Sequence, residues 1–309
     1  MSAFLRILRP KNLAFLAFAM LGFILCGLQL EETVYEPGKN SLLFPTLLIL
    51  IVCTVAASGN VINDIYDVKA DRINKPQKTF VGKSLSYKNA FLLYSALSIV
   101  SLISSSLLAW ISGLGCIVVA VLVVEMLLFL YARFLKKTML LGNLLIANLT
   151  ALPYALIVYA FGWSVENTIF KFVFFSLMFF VLTLNLIREV AKDWEDVAGD
   201  LVLGAKTFPI KFGAHATRTL LLVLIFFSMI LHFVVGLTWI ALVGVLRGIL
   251  INWPLIVLGI LHIHFLVALK KSTWTPSRLS SRLKLLMLLG VCWIYYLWII
   301  LQVNPHNIY

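Results

Sequence analysis

Two short acidic stretches carry the residue types most able to do chemistry. Asp64-Ile65-Tyr66-Asp67-Val68-Lys69-Ala70-Asp71 and Asp193-Trp194-Glu195-Asp196-Val197-Ala198-Gly199-Asp200 share the pattern D-x-x-D-V-x-x-D at an offset of 129 residues, and a Lys-Thr-Phe follows each, at Lys78–Phe80 and Lys206–Phe208. Aspartates at i, i+3 and i+7 fall on one face of a helix, where three like charges repel unless a cation joins them. Near a helix C-terminus they also have the wrong sign for the helix dipole. Carboxylate oxygens are hard ligands suited to Mg2+ or Ca2+, and Mg2+ commonly binds through one or two carboxylates together with substrate phosphates. Thiolate and paired-imidazole patterns that would indicate zinc or iron are missing from the sequence. Two such clusters facing each other could clamp a diphosphate through bridging metal. The cations beside them, Arg72, Lys75 and Lys78 after the first and Arg188, Lys192 and Lys206 around the second, either meet phosphate oxygens or serve as positive anchors at the membrane surface.

A third stretch, from Tyr131 through Arg133, Lys136 and Lys137 to Gly142 and Asn143, joins two apolar runs on the same side. Glu125 lies inside an apolar run, where an ionisable residue is a functional candidate or the partner of an inward lysine. His232, His262 and His264 are scattered through apolar runs and read as buried polar contacts. Asp64, Asp193, Glu189 and Glu125 all remain admissible as general base.

The elements that position these residues are set by the solvent. A chain of 309 residues that is 62% hydrophobic and 12% charged, with mean hydropathy +1.02, fits a bilayer and no soluble class. Crossing about 30 Å of hydrocarbon takes about 20 apolar residues of helix, and nine runs qualify: 13–29, 42–62, 88–109, 111–132, 139–161, 168–187, 216–236, 250–269 and 284–302. The stretch 237–249 is too short to span alone. The expected fold is an all-α polytopic membrane bundle forming one domain over 1–309. The first run follows Arg6, Arg9 and Lys11 but lacks a small-residue cleavage pattern, and reads as a retained span. Cys26, Cys53, Cys116 and Cys292 lie in apolar runs without paired spacing, so they read as packing residues.

The net charge of +12 is explained by topology. Threading nine spans with the N-terminus inside puts 22 of the 25 Lys and Arg on one side, with Lys39, Lys171 and Arg247 on the other. This places the N-terminus and the acidic connections 63–87 and 188–215 in the cytoplasm and the C-terminal tail outside, in a cell's inner membrane, and argues against a nucleic-acid partner. The first triad ends span two and the second ends span six, an offset of four helices that predicts a parallel repeat of halves about 42–161 and 168–302 around a central cavity.

In their order and spacing these motifs resemble the UbiA superfamily of intramembrane prenyltransferases, whose signatures N-x-x-x-D-x-x-x-D and D-x-x-x-D read here as Asn63, Asp67, Asp71 and Asp196, Asp200. The stretch Tyr131 to Asn143 is similar to the family's third motif. The resemblance implies that Asn63, Asp67, Asp71, Asp196 and Asp200 hold Mg2+ against a polyprenyl diphosphate, and that Asp64, Asp67, Asp193 and Asp196 carry catalysis. It also implies that Arg72, Lys78, Tyr131, Lys136, Asn143, Arg188, Lys192 and Lys206 contact the diphosphate, with the prenyl tail in a lipid-facing tunnel. Loss of diphosphate opens the allylic C–O bond toward a carbocation, which aromatic faces can shelter; 22 Phe, 10 Tyr and 8 Trp supply them. A lipophilic acceptor then attacks the prenyl carbon.

The runs Gly59 to Asp64, Asp71 to Pro76 and Arg188 to Asp200 are most similar to the digeranylgeranylglyceryl phosphate synthase branch, which prenylates the free hydroxyl of a prenylglyceryl phosphate. One departure is Lys78-Thr79, where family members often carry Arg-Pro. Aromatic-ring prenylation in quinone or pigment synthesis is the neighbouring alternative. An ion-coupled transporter is the alternative from another class, but transport sites lie near the bilayer midplane at broken helices, and both triads lie at span ends.

Overall fold

A computed structural model of the chain describes residues 3–30, 42–77, 79–163, 168–271 and 273–303. Eleven α-helices run through it: α1 Ala3–Ile7, α2 Pro10–Leu30, α3 Leu43–Asn74, α4 Tyr87–Ser112, α5 Cys116–Arg133, α6 Leu141–Phe161, α7 Thr168–Glu195, α8 Val197–Val202, α9 Phe208–Val243, α10 Val245–Lys270 and α11 Pro276–Val303. All but the short α1 and α8 correspond to the nine expected spans. Eight are long and apolar enough to cross a bilayer, and α10 contributes the apolar stretch Ile256–Lys270. Among the described residues no strand forms, as expected where every backbone N–H and C=O must be satisfied within its own helix. The stretch 237–249 is absorbed by its neighbours, α9 running on to Val243 and α10 starting after Gly244, whose φ of 85° breaks the two apart.

The outward surface is apolar: Trp110, Ile103 and Phe233 are all more than 60% exposed. Lipid covers such side chains, so helix association here rests on close packing more than on water exclusion. Tyr295 of α11 closes against α2, stacking on Phe18 at 4.3 Å and donating its hydroxyl to the Phe18 carbonyl. A Cβ at Gly22 would stand 2.7 Å from that same ring, so the small residue is what permits the approach. Deeper, Phe23 of α2 meets Tyr154, Trp163, Phe170 and Phe174 of α6, α7 and their connection. α3 packs on α4 and α5, and α7 on α6, α9 and α11.

The sequence places the acidic motifs in connections, and here the structure corrects it. α3 continues without a break through Asp64, Asp67 and Asp71 to Asn74. At 1.5 Å rise its 32 residues run about 48 Å, well beyond the hydrocarbon thickness. α7 likewise carries Asp193 to Glu195, but the helix stops at Asp196 (φ −97°, ψ 7°) and α8 resumes at Val197. The second triad is therefore split across a bend, whereas the first lies on one straight face.

Beneath the first motif a smaller apolar cluster joins Ile7 of α1, Val61 and Val68 of α3, Val81 and Leu85 of the following turn, and Ala90 of α4. It anchors the N-terminal segment over the motif end of α3.

Candidate active site

The bend at Asp196 is what brings the motifs together. Asn74, in the last turn of α3, donates from Nδ2 to the Asp196 carbonyl at 2.9 Å, and its Oδ1 accepts the Gly199 N–H at 2.9 Å. The Asp196 carbonyl also accepts the Gly199 and Asp200 N–H groups at 3.1 Å, so the Asn74 amide adds a further bond on each side and ties α3 to the bend. The next residue, Lys75, reaches Asp196 Oδ2 at 2.7 Å. Gly199 is buried beneath α3: a Cβ there would lie 2.6 Å from the Ala70 carbonyl and 2.4 Å from the Asn74 amide nitrogen.

Around this seam the expected residues fall into groups. Asn63 donates to Asp67 Oδ2 at 2.6 Å, and Lys136 forms an ion pair with Asp67 Oδ1. Lys136 is delivered by a single 3₁₀ turn, Leu135–Lys137, that sits directly on the start of α6; a Cβ at Gly142 would meet the Leu135 carbonyl at 2.7 Å. That turn is tied to the loop after the second motif, where the Lys206 and Phe208 N–H groups donate to the Lys137 and Met139 carbonyls. Asn143, buried, donates to Asp193 Oδ2 at 2.8 Å. The Tyr131 phenol lies within reach of the fields of Glu189, Asp193, Asp67 and Asp200, between the two motifs.

Burial pushes Asp200 up to about 7, with help from the charges of Asp196 and Asp67. Burial also raises Asp196, against the pull of the Lys75 hydrogen bond. Burial works to lower Lys75, yet its bond to Asp196 and the charges around it carry it above its ordinary value. Asp196 and Asp67 each hold one lysine, Lys75 and Lys136, and a divalent ion would add positive charge beside these carboxylates.

The donor set fits such an ion: hard carboxylate oxygens, among them Asp196 Oδ1, which is buried with no hydrogen-bond partner among the described residues. Among the described residues no three Asp, Glu, His or Cys side chains already converge as a cage. Mg2+ that keeps substrate oxygens in its shell needs none.

Three expected cations stand apart from the motif carboxylates. Arg188 and Lys192 are both held by the buried Glu189, at 3.2 and 2.9 Å. Arg72 is exposed, with Nη2 3.1 Å from where a Gly82 Cβ would stand, beside the turn that follows α3. The Lys206 side chain is exposed, so this residue joins the site through its backbone. Lys78 lies outside the described residues.

Glu125 is held by hydroxyls and not by a lysine among the described residues. Its carboxylate accepts from the hydroxyls of Ser58, Ser98 and Ser101, at 2.8 to 3.3 Å, tying α5 to α3 and α4. The serines recur on α4 at helical spacing, a signal legible in the sequence once Glu125 is known to face that helix. His232 and His262 are buried and donate from Nδ1 to carbonyls of their own helices, and the ring of His264 packs on Trp274. All four cysteines are free.

Sequence reasoning missed Arg9. Its guanidinium reaches across to Asp64 Oδ1 at 2.6 Å and Asn60 Oδ1 at 3.2 Å, while Asn60 donates back to the Leu8 carbonyl. The signal was present as an arginine ahead of Pro10, but it read as a positive anchor.

Comparison with known proteins gives consistent matches. The model of the UbiA prenyltransferase family matches residues 20–290. A digeranylgeranylglyceryl phosphate synthase of Methanobrevibacter smithii is 34% identical over 230 residues, 73% of this chain and 74% of that protein. A solved digeranylgeranylglyceryl phosphate synthase superimposes with TM-score 0.65 at 26% identity, over 96% of this chain and 98% of its own. A UbiA homolog from Archaeoglobus fulgidus, solved with GPP and Mg2+, has the same fold at TM-score 0.62 and 19% identity, over 96% and 99% of the two chains.

Proposed function

Because this chain belongs to the UbiA prenyltransferase family, and so is an integral membrane prenyltransferase, we propose that it moves a geranylgeranyl group from its diphosphate to the free hydroxyl of a prenylglyceryl phosphate. The observation that carries the reading is the seam at Asn74 and Gly199, which ties the second motif at Asp196 to the end of α3 that carries the first, with Lys75 on Asp196 and Lys136 on Asp67. The acceptor class follows the relatives named for that synthesis. The four-helix offset between α3 and α7 is read as a parallel repeat, and the excess of Lys and Arg puts the motif end in the cytoplasm.

Asp67 and Asp71 on α3 and Asp196 and Asp200 at the bend would hold Mg2+ against the diphosphate. Bound there, it neutralises charge that gathers on the leaving group. Lys75 and Lys136 each spend a donor on a carboxylate and keep the rest of an ammonium for phosphate oxygens. The apolar helices α3 to α7 exclude water while the allylic C–O bond opens, so the hydroxyl acceptor competes with little hydrolysis.

The acceptor proton then needs a base. At the motif end Asp64 is paired with Arg9 and Glu189 with two cations, whereas Asp193 is held by the neutral Asn143 amide and keeps its basicity. We assign the proton to Asp193.

Purified protein incubated with Mg2+, labelled geranylgeranyl diphosphate, and either prenylglyceryl phosphate or an aromatic acid tests the reading. Magnesium-dependent product with the glycerol lipid is expected. Product with the aromatic acid alone moves the protein to ring prenylation, and solute transport without any consumption of prenyl diphosphate removes the enzyme reading.

Lys136→Ala is expected to weaken binding of a non-hydrolysable prenyl diphosphate analogue by on the order of 1.5–3 kcal/mol, the value of a charged hydrogen bond. Titration calorimetry in detergent measures it. Unchanged affinity takes Lys136 out of the diphosphate site.

A further inference from the structure

A carboxyl group inside a membrane span is expensive, and Glu125 sits in the middle of α5. Its two oxygens take the Ser58 hydroxyl of α3 at 2.9 and 2.8 Å, and those of Ser98 and Ser101 of α4 at 3.1 and 3.3 Å. Ser58 and Ser101 are fully buried, and Glu125 is 9% exposed. Three helices are thus joined at one polar point away from the acidic motifs.

Lipid tails are as apolar as the side chains packed between these helices, so apolar contact alone gives helices in a bilayer little preference for one longitudinal register over another. A single buried polar tie supplies that preference, because a slip by one turn, about 5.4 Å, strips the carboxyl of its hydroxyls. The helices it joins lead to the site. α3 ends in the first motif, and α5 runs in the same direction toward Lys136. Contacts between the two keep a nearly constant offset along their length: Ser58 with Glu125, Gly59 with Leu128, Tyr66 with Phe129, and Asp67 with Lys136. The approach is close. A Cβ at Gly59 would stand 3.0 Å from Leu128 Cδ1, and the Tyr66 and Phe129 rings meet edge to face with centroids 6.0 Å apart.

The link from α5 to the lysine is short. Phe134 alone separates Arg133, the last residue of α5, from the 3₁₀ turn Leu135–Lys137, and its N–H donates to the Leu130 carbonyl at 2.9 Å. The level of α5 is therefore passed to Lys136 with little slack. On the other side Asp67 stands nine residues beyond Ser58 in an unbroken helix, about 13 Å along its axis. Gly142 and the Lys206 N–H fix the turn against α6 and the loop after the second motif. What fixes it against α3 is α5, and the Ser58–Glu125 tie and the Asp67–Lys136 pair are two rungs of one ladder.

We propose that Glu125 is a positioning residue for the prenyl diphosphate: by holding Ser58, Ser98 and Ser101 it sets the level of α5 against α3, and so keeps Lys136 beside Asp67. The proposal rests on the function proposed above, in which Lys136 keeps part of its ammonium for phosphate oxygens. Glu125 acts through that lysine and not on the substrate.

The test uses the full chain in detergent with Mg2+ and a non-hydrolysable prenyl diphosphate analogue. Titration calorimetry compares wild type, Glu125→Leu, Glu125→Gln, Lys136→Gln and the double variant Glu125→Leu/Lys136→Gln, with kcat, the KM of each substrate and a melting curve on the same samples. Glu125→Leu, close in size but without hydrogen bonds, is expected to weaken the analogue about tenfold, and by no more than Lys136→Gln does. Its acceptor KM should stay close to wild type. Glu125→Gln can still pair with hydroxyls that rotate to suit it, and is expected to bind within about twofold of wild type. The double variant should bind as Lys136→Gln alone does, because a tie that acts only through the lysine adds nothing once the lysine is gone. Ser58→Ala breaks the same tie from α3 and is expected to shift affinity in the same direction, which keeps the proposal open to test should Glu125→Leu fail to fold.

Wild-type affinity in both Glu125→Leu and Ser58→Ala overturns the proposal. So does an additive loss in the double variant, which would mean that Glu125 supports the bundle at large. Glu125→Gln that loses turnover at unchanged affinity overturns it too, in favour of a proton-handling role. Lys136→Gln without effect on the analogue removes this proposal and leaves the proposed function standing, whereas wild type that binds no prenyl diphosphate brings down both.

Discussion

Asp67→Ala and Asp196→Ala each remove magnesium-dependent turnover, by a factor on the order of 10³ or more, while the bundle stays folded. The magnitude is that of losing a preorganised charge-stabilising group from a site where charge develops on a leaving group. Each aspartate belongs to a different motif, so either loss opens one side of the clamp. The fold survives because neither side chain belongs to the apolar core, to which all nine long helices α2 to α7 and α9 to α11 contribute around residues such as Phe23, Ile51 and Phe170. Asp67→Ala does leave Lys136 and the Asn63 amide without their acceptor, and Asp196→Ala frees Lys75. Those losses lie at the solvent end of the helices. Activity over a magnesium titration, with circular dichroism and a melting curve in detergent on the same samples, measures both halves of the expectation. Full turnover in both variants would falsify the clamp.

Gly199→Ala, which adds only a methyl group, is expected to lower turnover by about 10²-fold and to destabilise the protein by about 1–3 kcal/mol. The added Cβ would stand 2.6 Å from the Ala70 carbonyl, a backbone atom that can move only if α3 moves. The same residue donates its N–H to Asn74, so pushing α8 away from α3 breaks the bond that positions Asp196 and Asp200 against Asp67 and Asp71. A displacement of about 1 Å between catalytic groups is enough for a loss of that size. Gly259→Ala in α10 is the control, since nothing lies within 4 Å of its added Cβ and alanine is the better helix former. Comparable turnover in Gly199→Ala and Gly259→Ala would show that the seam does not set the site.

The resemblance carried by Asn63, Asp67, Asp71, Asp196 and Asp200 led to the family that the matched residues 20–290 show. It did so because within each motif those residues are close in sequence, where order and spacing are visible. Arg9 was hidden for the opposite reason. Its partner Asp64 is 55 positions away, and a single arginine before an apolar run has the composition of any cytoplasmic anchor. Glu125 was recognised as unusual, since a carboxylate in an apolar run always is. Its partners were hydroxyls and not a lysine, and sequence could not choose between them while the facing helix was unknown.

Helix content and span number were determined by the sequence itself, because bilayer thickness sets helix length and every backbone group must find its partner within a few residues. Both acidic motifs, and the hard-cation chemistry that three repeated carboxylates demand, were determined there too. Only the tertiary structure decided that the second helix breaks at Asp196 and that Asn74 seals the break. Only it decided that Lys136 serves Asp67, and that the cations divide between two carboxylate groups. The Asn74 seal, the Lys136–Asp67 pair and the Arg9–Asp64 pair join residues 55 to 125 positions apart, and their distances are set by how the helices pack and not by the residues that flank each one.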